Sequence, residues 1–137
     1  MKAERVKQFP VVGEYMTVSP HTIARNGSIS SARHMMRTHH IRHLPVLEAG
    51  RIAGVLSERD LFLVESLPGV NPTDVLVEEA MVQDVLTVPP EAPIGEVVED
   101  MLGRKVGSAI VCDGDRVVGV FTTMDTLRAL HERLERP

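Results

Sequence analysis

Two short spacings in this 137-residue chain could do chemistry: Ser57-x-x-Asp60 and Thr122-x-x-Asp125. A carboxylate at a helix start can accept two hydrogen bonds from the vicinal hydroxyls of a ribose. A hydroxyl three residues earlier, with the exposed N–H groups of the first turn, can face a phosphate. The same spacing is that of a capping box, which needs no ligand, and the two uses coexist because a capped helix start still presents its carboxylate. Arg42 and His43 lie just before an apolar run, where they either neutralise phosphate charge or serve as ordinary surface charge. Other candidates carry less. His34, His39, His40 and His43 cluster locally, but no paired Cys and no His-Glu-x-x-His pattern accompanies them, so a solvated helix end is expected and no metal. Gly27, Gly103 and Gly107 do not form a phosphate-cradling loop, and no Ser-His-Asp order or pair of catalytic carboxylates can be assembled. Cys112 falls in an apolar run as a small core residue, with nothing to mark it as a nucleophile.

The elements that must position these residues follow from an internal repeat. An offset of 65 lays Met16 on Met81, Thr22 on Thr87, Ile29 on Ile94, Met36 on Met101, Val46 on Val111, Gly54 on Gly119, Val55 on Val120 and Asp60 on Asp125 without a gap. Each copy reads as a short extended piece (Thr22-Ile23, Thr87-Val88), then an amphipathic helix. The helical spacing is carried by Ile29, Ala32, Met35 and Met36 in one copy and by Ile94, Val97, Val98, Met101 and Leu102 in the other. A β-hairpin follows, Leu44 to Leu47 with Arg51 to Leu56, and Ala109 to Cys112 with Arg116 to Phe121, turning at Glu48-Ala49-Gly50 and Asp113-Gly114-Asp115. A final helix starts at Ser57 or Thr122; the first ends near Leu67 because Pro68-Gly69 stops it, and the second runs towards Arg136. Such a β-α-β-β-α unit is too small to bury a good core alone, so the copies are expected to pack together.

A formal charge of −4 argues against broad charge-driven binding to nucleic acid or to an anionic membrane. The one cysteine excludes an internal disulfide, no apolar run is long enough to cross a bilayer, and no secretory leader is legible near the start. The expected location is the cytoplasm.

Two copies of β-α-β-β-α, each closing on Gly-apolar-apolar-Ser/Thr-x-x-Asp, resemble the tandem CBS domain (cystathionine β-synthase domain), or Bateman module. The motif stands here as Gly54-Val55-Leu56-Ser57-Glu58-Arg59-Asp60 and Gly119-Val120-Phe121-Thr122-Thr123-Met124-Asp125, and Ile41 to Val46 is also similar to the family pattern. The resemblance covers nearly all of residues 12 to 131. It implies an α+β fold of two tandem CBS repeats packed with pseudo-two-fold symmetry, residues 12–67 and 77–131 joined by a linker at 68–76. It implies a regulatory module that catalyses nothing, needs no cofactor, and binds AMP, ADP, ATP or S-adenosylmethionine in two clefts between the copies. The first cleft would draw on Thr22, Ile23, Arg42, His43 and Leu44 with Thr122, Thr123 and Asp125. The second would draw on Thr87, Val88, Gly107, Ser108 and Ala109 with Ser57, Arg59 and Asp60. Because Gly107 and Ser108 replace Arg42 and His43, the first cleft is expected to hold a phosphate-bearing ligand more tightly. A homodimer is expected, and the sequence leaves no room for an attached catalytic domain, so the regulated target is expected to be another protein. The alternative is a scaffold of the same fold that dimerises with its clefts empty.

Overall fold

The computed structural model describes residues 10–136. After a 3-10 turn at Val12–Glu14 come β1 (Thr17–Val18), β2 (Ile23–Ala24), α1 (Ile29–His39), β3 (His43–Glu48), β4 (Arg51–Ser57) and α2 (Glu58–Glu65). The second half contains α3 (Val77–Ala80), β5 (Thr87–Val88), α4 (Ile94–Arg104), β6 (Ser108–Asp113), β7 (Arg116–Thr122) and α5 (Thr123–Glu135). The expected β-α-β-β-α order is therefore present twice, as a mixed α+β fold.

The chain divides into two compact units, and their limits do not follow the repeat intervals. One is continuous, Pro20–Val85; the other combines the segment ending at Ser19 with Leu86 onward. In each, the segment that leads into a repeat is captured by the sheet of the other repeat's sequence.

In the continuous unit, β2 pairs in parallel with β3, and β3 pairs antiparallel with β4, setting His43 opposite Ser57. The hairpin turns through Ala49 and Gly50, both at positive φ (52° and 79°), as a tight two-residue turn between right-twisted strands requires. The segment after α2 lies along this unit's own elements: Ile29 N–H donates to Val75 O (2.9 Å), Val77 N–H to Gly27 O (2.7 Å) and Glu78 N–H to Arg25 O (2.9 Å). Val55 and Val82 then exchange two backbone hydrogen bonds of 2.9 Å. Arg25 holds this segment ionically through Glu78 (2.7 Å) and also meets Glu48 (2.8 Å). Ile23, Ile29, Ala32, Met36, Leu44, Val46, Leu56, Leu61 and Val77 form the core. Arg33, only 8% exposed, is tolerated beside it because Glu65 receives it through two hydrogen bonds, of 3.1 and 2.6 Å, and Phe62 lies under its guanidinium.

The other unit repeats this plan. Its sheet runs β1-β7-β6-β5, with β5 and β6 parallel and the other pairs antiparallel. Here the leading segment supplies the matching bonds: Ile94 N–H to Pro10 O (3.0 Å), Val12 N–H to Ala92 O (2.9 Å) and Gly13 N–H to Pro90 O (2.9 Å), each 65 residues removed from its counterpart. Both hairpins shift register at the same place, between Val46 and Leu47 and between Val111 and Cys112. Val12, Leu86, Val88, Ile94, Val97, Met101, Ala109, Val111 and Phe121 make this core. Leu102 sits at helical spacing and is 72% exposed, since α4 turns the Ile94-Val97-Met101 stripe inward with Val98 partly buried beside it. One residue differs from its sequence reading: Cys112, near the end of β6, is partly exposed rather than in the core, and burial together with nearby Asp115 pushes its thiol up.

Candidate functional site

The same local geometry recurs at one end of each hairpin. In the continuous unit, pairing of His43 with Ser57 sets the Arg42-His43 loop beside the start of α2. Glu58 N–H donates to Arg42 O (2.8 Å), which fastens the helix start to that loop. Ser57 is the N-cap: Asp60 N–H donates to Ser57 Oγ (3.2 Å), while Ser57 N–H and Oγ–H both donate to Asp60 Oδ2 (2.8 Å each). The capping box anticipated from the spacing is thus present, and it uses one of the two oxygens of Asp60. It also leaves fewer helix N–H groups for an anion than a bare helix start would, because those of Glu58 and Asp60 are already engaged.

In the other unit Ser108 pairs with Thr122, and Thr123 donates to Gly107 O through its N–H (3.1 Å). Thr122 N–H (2.8 Å) and Oγ1–H (3.2 Å) donate to Asp125 Oδ2. Asp125 is 5% exposed, and its Oδ1 accepts from Arg128 Nη2, which also donates to Tyr15 O (2.8 Å). Tyr15 OH in turn donates to Glu132 Oε1 (2.7 Å), and that hydrogen bond raises the phenol above its ordinary value. Sequence reading missed Arg128. The signal was available: an Asp and an Arg three apart on a helix meet on one face, and the first copy has Leu63 at that position.

The expected site residues are therefore divided as follows. Thr22, Ile23, Arg42, His43, Leu44, Ser57, Arg59 and Asp60 belong to the continuous unit, and Thr87, Val88, Gly107, Ser108, Ala109, Thr122, Thr123 and Asp125 to the other. Arg42, Arg59, Thr87 and Thr123 are exposed; Thr22, His43, Ser57, Asp60, Gly107 and Thr122 are half-buried. Ile23, Val88 and Ser108 are buried, and Leu44 and Ala109 are fully enclosed, so those last two offer a ligand no accessible surface.

Burial is the main reason that His43 falls below the ordinary histidine value; Arg42 adds to the shift, and Asp60 and Glu58 oppose it. His43 is thus held uncharged at neutral pH. The sign of the pH effect follows: the unfolded chain takes up the proton first, so stability is lost as pH falls from the ordinary histidine value towards the lower folded one. His43→Gln is expected to lose less thermal stability than the wild type between pH 7.5 and 5.5, as read by melting in matched buffers. Equal losses would show that His43 contributes nothing to the slope.

The remaining histidines do not converge. His39 stacks on His21 with ring centroids 3.6 Å apart, and His34 Nε2 lies 3.5 Å from Thr38 Oγ1. Among the described residues no three His, Cys, Asp or Glu side chains gather as a metal site would need. No described helix is long and apolar enough to cross a membrane. A groove of about 720 Å³ lies between α4 and α5, floored by Val98, Ala129 and Leu130; the matching place in the other unit is occupied by Arg33 and Glu65.

Comparison with known proteins agrees with this architecture. The CBS domain model matches residues 1–66 and 77–132, and the chain belongs to the CBS-domain family. The A-adding tRNA nucleotidyltransferase of Geobacter sulfurreducens is 26% identical over 133 residues, 97% of this chain but 15% of that protein. The chain thus spans a small part of that relative. The CBS domain pair of protein MJ0100, solved with 5′-methylthioadenosine and S-adenosyl-L-methionine, superposes with a TM-score of 0.80 at 26% identity, covering 88% of this chain and 99% of that one. CBSX2, solved with AMP, has the same fold, with a TM-score of 0.79 at 22% identity over 92% and 99% of the two chains.

Proposed function

We propose that this protein is a non-catalytic regulatory module, whose two CBS repeats, residues 12–67 and 77–131 with a linker at 68–76, bind an adenosine-containing nucleotide in clefts they share. The observation that carries this reading is the recurrence, at one end of each hairpin, of a helix start that sets a hydroxyl and a carboxylate beside the segment leading into the hairpin. Such an arrangement suits a ribose and its phosphate. The ligands of the MJ0100 pair and of CBSX2 support AMP or S-adenosylmethionine as the ligand class, with ADP and ATP as further members of it.

Regulation follows if the nucleotide binds one arrangement of the repeats better than another, because a ligand shifts an equilibrium only by its differential affinity. The output would pass to a target protein, in the cytoplasm, from a homodimer. Exposed Leu127, Leu130 and Leu134 on α5 recur at the spacing of a helix–helix seam and support that dimer. Isothermal calorimetry with AMP, ATP and S-adenosylmethionine tests the binding reading: saturable heat with at least one is expected, and neither heat nor thermal shift with any of them would overturn it and favour a dimerisation scaffold with empty clefts. Sedimentation velocity at micromolar concentration checks the dimer.

A further inference from the structure

The two aspartates look equivalent in sequence and are not equivalent in structure. Each commits Oδ2 to its capping box, where two donors use both lone pairs. What remains for a ribose is Oδ1. On Asp60 that oxygen has no partner among the described residues, and since no enclosed side-chain oxygen there goes without one, it is open to solvent. On Asp125 it is held by Arg128. Arg128 is fixed in place by a second acceptor, Tyr15 O, and the Asp125 side chain is only 8% exposed. The guanidinium of Arg128, whose side chain is 61% exposed, thus lies between solvent and the one oxygen of Asp125 that the capping box leaves over.

We propose that Arg128 is a specificity-determining residue that masks the ribose-reading oxygen of Asp125, so that the cleft built on Asp60 takes adenosine ligand at full affinity and the cleft built on Asp125 does not. This rests on the nucleotide reading above and reverses the order of affinities that Arg42 and His43 alone suggest. Two further observations favour the reversal. Burial holds His43 below the ordinary histidine value, so it supplies less positive charge than its residue type suggests. Arg59, one residue from Asp60, is exposed and can supply a phosphate contact to the other. The first copy has no counterpart of the mask, because Leu63 offers no donor.

The test is calorimetric titration of the full chain with AMP and, separately, with S-adenosylmethionine. The wild type is expected to show one strong site per chain. Arg128→Leu, which copies the residue of the first repeat, is expected to add a second site within about tenfold of the first, the scale of one charge-assisted hydrogen bond. Arg128→Lys keeps a cation there and should give an intermediate result. The reciprocal Leu63→Arg should install the mask beside Asp60 and weaken the strong site by about tenfold. A purely structural role for Arg128 would lower the melting temperature without changing stoichiometry. Two equal sites in the wild type, or an unchanged site count in a folded Arg128→Leu, would overturn the role of Arg128 while leaving nucleotide binding intact. Absence of heat in the wild type and in every variant would instead remove nucleotide binding itself, and the mask with it.

Discussion

Asp60→Ala is expected to lower adenosine-ligand affinity by about 100-fold or more, because it removes an ionised acceptor that two ribose hydroxyls would share, each such hydrogen bond being worth roughly tenfold or more. The substitution also breaks the Ser57–Asp60 capping box, at a cost of about 1 kcal/mol in stability. Asp60→Asn separates the two effects. Asparagine retains a side-chain oxygen at the helix start but carries no charge, so it should keep most of the stability while losing at least about tenfold in affinity. Calorimetry beside thermal melting reads both quantities. Wild-type uptake by both folded variants would refute the role assigned to Asp60. Asp125→Ala should change the principal heat little, for the reason that Arg128 already engages that carboxylate.

Gly54→Val and Gly119→Val are each expected to destabilise the fold. A Cβ built on Gly54 would lie 2.7 Å from Met81 Sδ and 2.8 Å from the carbonyl oxygen of Val82; on Gly119 it would press against Met16 Sδ, with Thr17 O only 3.0 Å away. A methionine tip can move. The carbonyls cannot, because they belong to segments paired with these strands. Overpacking of this kind costs about 1–3 kcal/mol and should lower the melting temperature by roughly 5–10 °C for a chain of this size. Gly95→Ala is the control: nothing lies within 4 Å of its would-be Cβ, and in helix α4 the change should stabilise by up to about 1 kcal/mol. Differential scanning calorimetry distinguishes these outcomes, and a Gly54→Val melt equal to the wild type would sink the close-contact account.

These glycines also show where the sequence was legible and where it was not. Their recurrence 65 residues apart could be read directly, as could the hairpins, the amphipathic stripes and the capping boxes, because each of those is written in residues that are neighbours along the chain or along one face. The reason for the glycines could not. It lies in Met81-Val82 and Met16-Thr17, short edge segments whose pairing with β4 and β7 has no local pattern; the partners of β1 stand about a hundred residues away. The site divides in the same manner. Ser57, Asp60, Thr122 and Asp125 announced themselves by spacing, whereas the lowered His43 depends on how deeply one strand end is enclosed, and the difference between the two aspartates depends on a single arginine side chain. Motif reading counts the acids. It does not see which oxygen is already taken.

The discontinuous unit bears on the order in which the chain can be assembled. Emerging from a ribosome, residues 10–19 appear long before residues 90–94, β7 and α5, which hold them, are synthesised, whereas Pro20–Val85 forms one continuous unit and can close as soon as it is complete. Cutting the gene between the repeats would therefore strand residues 10–19 on the wrong fragment. A permuted gene that starts at residue 20, and carries residues 10–19 immediately ahead of Leu86, would place each unit's partners in one continuous stretch of nascent chain.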